Sequence, residues 1–235
     1  NADAEVSRMK KAVKYAEDAE RNRRQLTNAI AHELKTPLAI IHSYVEGLSE
    51  HIADDKRDRY LEVITQETER MDALVLDMLD LSRMEAGRTK LNKETFSLSA
   101  LARETAVRFE KSAEDKGIKM TLNATGEYPV TADKGRISQV MTNFLMNALS
   151  HCPSGGRISA KVSPAGRGVR FSVENSGEKI PEEALSKVWD SFYRVRESGQ
   201  GSGLGLAISK SIIDLHGGTC GAENTEAGVI FWFNI

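Results

Sequence analysis

Cysteine is almost absent from this chain: Cys152 and Cys220 are the only two among 235 residues. They form no metal-ligand spacing and no disulfide framework, which fits a reducing compartment. No apolar run reaches membrane-spanning length, and no signal-peptide pattern is present. Excess charge of either sign is also missing. The formal net charge is −2, so there is no bulk electrostatic case for a nucleic-acid partner. The charged fraction of 28% suits a soluble protein with long solvated helix faces. Internal repeats and low-complexity tracts are lacking. From about residue 5 to residue 84 the chain contains one proline, Pro37, and one glycine, Gly47. The sequence begins at Asn1 without Met and runs directly into helical sequence. It is expected to be a soluble piece of a longer protein, with any membrane connection in a missing N-terminal part.

What is present in the first third is helical periodicity. Val6, Met9, Val13 and Ala16 follow the 3,4,3 spacing of a heptad seam, and the pattern resumes at Leu26, Ile30, Ile41, Tyr44 and Leu48. A polar break over Ala53–Asp58 follows. Leu61, Ile64, Met71, Leu74, Val75, Met78 and Leu81 then mark a second amphipathic helix. Two long helices joined by a short turn predict an antiparallel hairpin. A lone hairpin buries too little, so two copies are expected to form a dimeric four-helix bundle. A monomeric hairpin docked on the remainder of the chain is the alternative.

After a polar stretch from Arg83 to Lys93 the texture becomes mixed. A helix is expected over Leu98–Lys116 with Gly117 as its stop, and strands at Ile118–Leu122 and Val130–Ala132. A helix from Gly135 to His151 follows. Arg157–Val162 and Val169–Val173 read as a hairpin around Pro164–Gly168. Pro181–Val188 reads as a short helix, Leu204–His216 as a longer one ended by Gly217 and Gly218, and Gly221 to Phe233 as a closing hairpin. The fold class is therefore α plus α/β: the helical hairpin, then an α/β sandwich with helices on one face of its sheet. The expected divisions are a signalling helix over 1–24, the hairpin over 25–84, a linker over 85–94 and the α/β domain over 95–235.

Three groups of residues carry chemistry. Asn143 and Asn147 are spaced i,i+4 and share one helix face. Two side-chain amides there can hold Mg²⁺ or its waters beside a phosphate chain without adding negative charge. In Gly201-Ser202-Gly203-Leu204-Gly205-Leu206 the glycines let backbone N–H groups approach phosphates, and the following helix N-terminus adds positive potential. Upstream lies His32-Glu33-Leu34-Lys35-Thr36-Pro37, with a neutral-range imidazole, a carboxylate beside it and a hydroxyl one turn on. Pro37 is expected to bend its helix.

Five ordered motifs together resemble those of bacterial sensor histidine kinases. These proteins combine a dimerisation and histidine-phosphotransfer domain with an ATP-binding domain of the gyrase/Hsp90/histidine-kinase type. The first motif is Ala31–Leu38, the second Asn143–Ala148, the third Glu174–Pro181, the fourth Val188–Arg194 and the fifth the glycine segment. The resemblance covers nearly the whole chain after about residue 22 and implies an ATP-dependent, autophosphorylating protein-histidine kinase. It implies His32 as phosphoacceptor, Glu33 as the group that fixes the ring tautomer and takes up its proton, and Thr36 as a water-positioning hydroxyl for phosphatase activity. It implies Asn147 as the Mg²⁺ ligand, with Asn143, Asn175, Gly177, Phe192, Arg194, Gly201, Gly203, Leu204 and Gly205 as ATP contacts. The stretch from about Arg194 to Gly201 is expected to act as a lid over the nucleotide. The implied partners are a response-regulator receiver domain and a second copy of the chain. The implied location is the cytoplasmic part of a bacterial inner- or plasma-membrane sensor.

The match has departures. Asn175 stands where the family places an adenine-reading Asp, which removes a charge from that contact. Lys179 replaces a glycine of the third motif. Ser150 stands where many members carry Lys or Arg, and Lys187, Arg194 or Arg196 are candidate replacements. Two rivals remain open: a degenerate dimeric scaffold that binds nucleotide poorly, and an ATPase of the same ATP-binding superfamily.

Overall fold

The fold is described from a computed structural model. It covers every residue except Asn1, 51–55, 167 and 196–201, with side chains described for Val13 and from residue 27 onward. The first helix, α1, spans Ala2–Ser49 and the second, α2, spans Arg57–Glu85. The expected break at Ala53–Asp58 falls partly outside the described residues; Arg57 and Asp58 already belong to α2. Helix α1 is continuous through Pro37, whose side chain is buried. The chain divides into two compact units, Asn1–Leu76 and Asp77–Ile235.

In the first unit the two helices form a hairpin. Tyr44 of α1 and Tyr60 of α2 meet edge to face, with ring centroids 4.9 Å apart. The lone early glycine has a packing reason. A Cβ on Gly47 would lie 2.9 Å from the Tyr60 ring, so the missing side chain lets that ring close on α1. Leu74 is buried, at 6% exposure, and Ile30 and Ile41 are partly buried. Leu38, Leu61, Val75 and Leu76 stay 45–66% exposed or, for Val75, 42%. The seam positions Val6, Met9, Ala16 and Leu26 lie where side chains are not described.

The second unit is an α/β sandwich. Five strands run in the order β2-β4-β5-β7-β6: β2 is Lys119–Asn123, β4 Arg157–Ala165, β5 Gly168–Ser176, β6 Thr219–Asn224 and β7 Gly228–Asn234. Strand β2 pairs parallel with β4, and the other pairs are antiparallel. Alternate residues Ile158, Ala160 and Val162, then Phe171 and Val173, then Val229, Phe231 and Phe233 are buried, as period-two patterning requires. Three helices complete this core: α3 (Leu98–Asp115), α4 (Lys134–His151) and α6 (Gly205–Leu215), with α4 between α3 and α6 and packed on β5. Phe144 of α4 is fully buried and touches Phe231, Phe233 and Trp189 with centroids 5.9, 6.1 and 6.2 Å away. Burying one such ring contributes about 1.5–3 kcal/mol.

Some elements differ from the sequence expectation. A short strand β1, Glu94–Ser97, pairs antiparallel with β3, Pro129–Ala132, in a separate two-stranded ribbon. Four residues bearing one aromatic give too short a period to read. The Pro181–Val188 helix is instead a single turn, α5 (Glu182–Leu185), followed by a 3₁₀ turn at Lys187–Trp189. Pro164 and Ala165 belong to β4 rather than to the turn. The β2–β4 pairing ends at Asn123↔Lys161, so on that side Pro164 has no ladder bond to lose.

Helix α4 is anchored at its start by charge. Asp133 caps it, accepting from the Arg136 N–H at 3.0 Å and from the Asn92 N–H at 2.9 Å. Arg136 forks onto both carboxylate oxygens of Asp80, near the end of α2, with Nη2 to Oδ1 at 2.8 Å. Leu81 and Met84, from the same last turns of α2, are buried. Burial, and after it the charge of Asp80, pushes the Asp77 carboxyl above its ordinary range. For Asp133 burial acts in the same sense, but the Arg136 and Asn92 N–H groups and the Arg136 charge outweigh it. They hold this carboxyl below its ordinary range.

A carboxyl depressed in the folded state stabilises the fold above its unfolded pKa, and that contribution is lost as pH falls through the folded value. The parent chain should therefore exceed Asp133→Asn in urea midpoint by a constant margin above about pH 5. The margin should shrink as pH falls below roughly 4. Urea titrations of both chains across that range check this, and a pH-independent margin would contradict it.

Candidate functional site

The buried stripe of α4 explains where its asparagines point. Ile137, Val140, Met141, Phe144, Leu145 and Ala148 face the core. Asn143 and Asn147 flank that stripe one turn apart and are partly exposed. Asn143 Nδ2 donates to the Gly205 carbonyl at 2.9 Å and to Ser209 Oγ at 3.2 Å. Ser209 Oγ in turn donates to the same Gly205 carbonyl at 2.7 Å. The first turn of α6 is thus fastened to the middle of α4 by one amide. Asn147 makes no hydrogen bond among the described residues, so its amide oxygen remains available.

The glycines of the segment before α6 have different reasons. Gly203 has φ +71°, and a Cβ there would lie 2.8 Å from the Phe192 Cα. Phe192 is itself left-handed, at φ 63°, the only such non-glycine among the described residues, and donates its N–H to the Gly203 carbonyl at 3.0 Å. The backbones of Phe192 and Gly203 therefore pinch together. At Gly205 a Cβ would meet Asn143 Cγ at 3.5 Å, an ordinary contact. Packing does not demand glycine there; its absent side chain leaves the start of α6 open. Leu204 is fully buried; its N–H bonds Ser202 Oγ at 3.3 Å and its carbonyl accepts from the Ile208 N–H at 2.9 Å. Gly201 and Arg196, and most of the expected lid, lie outside the described residues. Arg194 is partly buried and Lys187 and Ser150 are exposed.

Asn175 ends the buried row of β5 and is 3% exposed. Its Nδ2 donates to the Ser176 carbonyl at 3.1 Å, which leaves Oδ1 as the remaining acceptor. Gly177 follows at φ +142°, where a Cβ would lie 2.9 Å from the His151 carbonyl at the end of α4. The turn after β5 is thereby seated on the same helix that carries the asparagines. Asn143, Asn147, Gly177 and Gly205 are all gathered around α4.

His32, Glu33 and Thr36 lie on α1 in the other compact unit. His32 and Thr36 are exposed and Glu33 is partly buried. Thr36 Oγ1 stands 3.5 Å from the His32 carbonyl, at the outer limit of a hydrogen bond. Thr36 thus stands one turn from His32 along α1.

Three polar residues that position the site had no readable motif. Ser209 is fully buried in the α4–α6 junction. His216 ends α6: its Nδ1–H donates to the Ile212 carbonyl at 2.7 Å and its Nε2 accepts from the Asp133 N–H at 2.9 Å. Asn224 ends β6 and holds the backbone of Ile180. Both cysteines are free thiols, and Cys220 is pushed up to about 11 by burial and then by the Asp214 charge.

Two family models match the chain. One, described as the His Kinase A (phospho-acceptor) domain, matches residues 22–87. The other, described as histidine kinase-, DNA gyrase B- and HSP90-like ATPase, matches residues 132–235. The sensor histidine kinase WalK of Bacillus subtilis (strain 168) is 35% identical over 219 residues, covering 89% of this chain. This chain spans only 36% of that relative's length. The catalytic domain of the histidine kinase ThkA is 38% identical over 61% of this chain and 95% of its own, with a TM-score of 0.57. A structure of ThkA in complex with the response regulator protein TrrA is 32% identical over 94% of this chain and 65% of its own, with a TM-score of 0.74.

The unequal bonding of the two asparagines makes a prediction. Asn143→Ala should lower unfolding free energy by about 1–2 kcal/mol, because it removes two hydrogen bonds at a packed junction. Asn147→Ala should change it by less than about 0.5 kcal/mol. Denaturant unfolding of both variants, followed by circular dichroism, checks the order; equal losses would contradict it.

Proposed function

The chain belongs to the two-component sensor histidine kinases, and from that membership we propose that it phosphorylates its own His32 from ATP. The observation that carries this reading is the α4–α6 junction. A neutral amide with a free oxygen, Asn147, stands one turn from Asn143, which is bonded to the open first turn of α6. Phosphate oxygens favour such a helix N-terminus, where backbone N–H groups are unsatisfied. Gly203 and Gly205 admit the phosphates, and Leu204 would offer them the backbone N–H that Ser202 Oγ otherwise holds. Gly201, Phe192 and Arg194 are the further ATP contacts of this reading. Asn175 offers an acceptor to the amino group of adenine, with Gly177 shaping the turn beside it.

The donor set fits Mg²⁺, which keeps most of its waters and takes few protein ligands. Asn147 would hold it, with Asn143 in the shell of its waters, and the ion would neutralise charge on the phosphates. At the acceptor, a neutral His32 ring nitrogen attacks the γ-phosphorus in line as the bond to the ADP oxygen breaks. Glu33 hydrogen-bonds the other nitrogen, fixes the tautomer and takes up its proton. The phosphate then passes to an aspartate of a response-regulator receiver domain, a partner class that the ThkA complex with TrrA supports. Thr36, one turn from His32, orients water for hydrolysis of the aspartyl phosphate on the phosphorylated regulator, releasing inorganic phosphate.

The first unit acts as a dimer in this reading. The exposed Leu38, Leu61, Val75 and Leu76 support a second copy as the cover of the hairpin. The proposed divisions remain 1–24, 25–84, 85–94 and 95–235, with the linker permitting His32 and the nucleotide to meet. Among the described residues no helix is long and apolar enough to cross a membrane. Attachment to a membrane sensor would run through sequence outside this chain, with this part in the cytoplasm where ATP is available.

A second reading, a dimeric scaffold that binds nucleotide poorly, draws on Asn175, Lys179 and Ser150. Incubation with γ-labelled ATP and Mg²⁺ separates the two. The parent chain should acquire acid-labile, base-stable phosphate. His32→Gln should acquire none while still binding ATP, and Asn147→Ala should lose magnesium-dependent binding. Label at the parental level on His32→Gln would remove His32 as acceptor, and an unlabelled parent would favour the scaffold.

A further inference from the structure

The third motif lacks its second glycine, and the segment that replaces it is held by a residue far along the chain. After Gly177 the backbone passes through exposed Glu178 and Lys179 to Ile180 before α5 begins. Asn224 meets Ile180 with both ends of its side-chain amide. Oδ1 accepts from the Ile180 N–H at 2.9 Å, and Nδ2 donates to the Ile180 carbonyl at 2.7 Å. The same Nδ2 lies 3.3 Å from Glu182 Oε1. One side chain thus does for Ile180 what a neighbouring strand's backbone would do: it supplies one donor and one acceptor.

The platform behind Asn224 is firm. Asn224 pairs with Val229 in the β6–β7 ladder. The turn beyond it is closed by Thr225 N–H to the Gly228 carbonyl at 2.9 Å and Gly228 N–H to Thr225 Oγ1 at 3.1 Å. The same turn takes the other end of the segment, through Gly177 N–H to the Ala227 carbonyl at 3.1 Å. Residues 177–180 therefore hang between two attachments on one hairpin, one made by backbone and one by Asn224 alone. Only an Asn of this length offers both polarities here: Ser is too short to span both groups, and Asp has no donor and would face Glu182.

We propose that Asn224 is a positioning residue for nucleotide binding: by pairing with Ile180 it holds the 177–180 turn in the shape that presents Asn175 and Gly177 to the purine. This rests on the nucleotide-site reading above. Asn224 touches no reacting group, so it should govern how much ATP is needed and leave the phosphorylation step unchanged. Its role also offsets the departures at Asn175 and Lys179, because a neutral reader on a glycine-poor turn depends more on a fixed backbone.

The test uses the full chain and Asn224→Ala, Asn224→Asp and Asn224→Ser. Autophosphorylation is measured against ATP concentration, and amide hydrogen exchange at Ile180 is measured without nucleotide. In Asn224→Ala the half-saturating ATP concentration should rise roughly tenfold, the scale of a lost pair of hydrogen bonds. The maximal rate should stay within about twofold, and the Ile180 amide should lose its protection. Asn224→Asp and Asn224→Ser should not restore the parental ATP dependence. A merely structural role would lower thermal stability or the maximal rate and leave ATP dependence unchanged, and that result would overturn the proposal. So would parental ATP dependence in a variant whose Ile180 amide has become unprotected. A parent chain that binds no ATP would overturn the nucleotide-site reading itself, and the parent arm alone reveals that case.

Discussion

The amide of Asn143 is the contact on which the arrangement of the α/β unit turns. Its NH₂ group reaches the Gly205 carbonyl and Ser209 Oγ, so the middle of α4 and the first turn of α6 are fixed to each other. Apolar packing would bring these helices together without setting how far one slides along the other. A directional bond between a side chain and a particular carbonyl sets that register. A second bond at the far end, from the Asp133 N–H to His216 Nε2, repeats the constraint. Between the two lies the core around Phe144, Ile208 and Ile212.

That constraint explains a division of labour between two asparagines that look alike in sequence. Asn143 has its NH₂ committed to holding the helix start, while Asn147 has nothing bonded to it among the described residues. The first builds the place; the second is left for what occupies it. The glycines divide similarly. Gly203 is required by the left-handed Phe192 packed against it, whereas Gly205 has room for a Cβ and keeps the helix start uncovered. Phe192 keeps its left-handed backbone against Gly203, in the manner of backbone outliers at working sites.

The legible parts of this chain were those with a period or a motif. Helices α3, α4 and α6 and strands β4, β5 and β7 follow apolar patterns long enough to read; the helices and the end of β7 fall within a residue of the expected positions, while β4 and β5 each run three residues further, to Ala165 and Ser176. Strand β3 was expected at Val130–Ala132, but its partner β1 escaped because a four-residue strand with one aromatic carries no usable period. Pro181–Val188 looked helical because it opens on proline and acidic residues, yet one turn forms before the chain tightens to bury Val188 and Trp189. At the site, the motif residues could be named, but their supports could not. His216 and Asn224 act through hydrogen bonds to backbone atoms distant in sequence, and Ser209 through one to the distant Asn143 side chain, and nothing local marks them. The bidentate pair of Asp80 with Arg136 is of the same kind, an attachment of the last turns of α2 to α4 that no spacing reveals.

The central claim is that the face of α4, the open start of α6 and the turn after β5 form one nucleotide site. Titrating a magnesium-bound, non-hydrolysable ATP analogue into isotopically labelled chain, followed by amide and side-chain amide NMR shifts, tests it most directly. The account predicts saturable shifts at the Asn147 side-chain amide and at the backbone amides of Asn175, Gly177, Gly203 and Gly205. Residues of the outer sheet face, such as Lys161 and Trp232, should be unmoved. Saturable shifts confined to other surfaces, with those five positions unchanged, would contradict it.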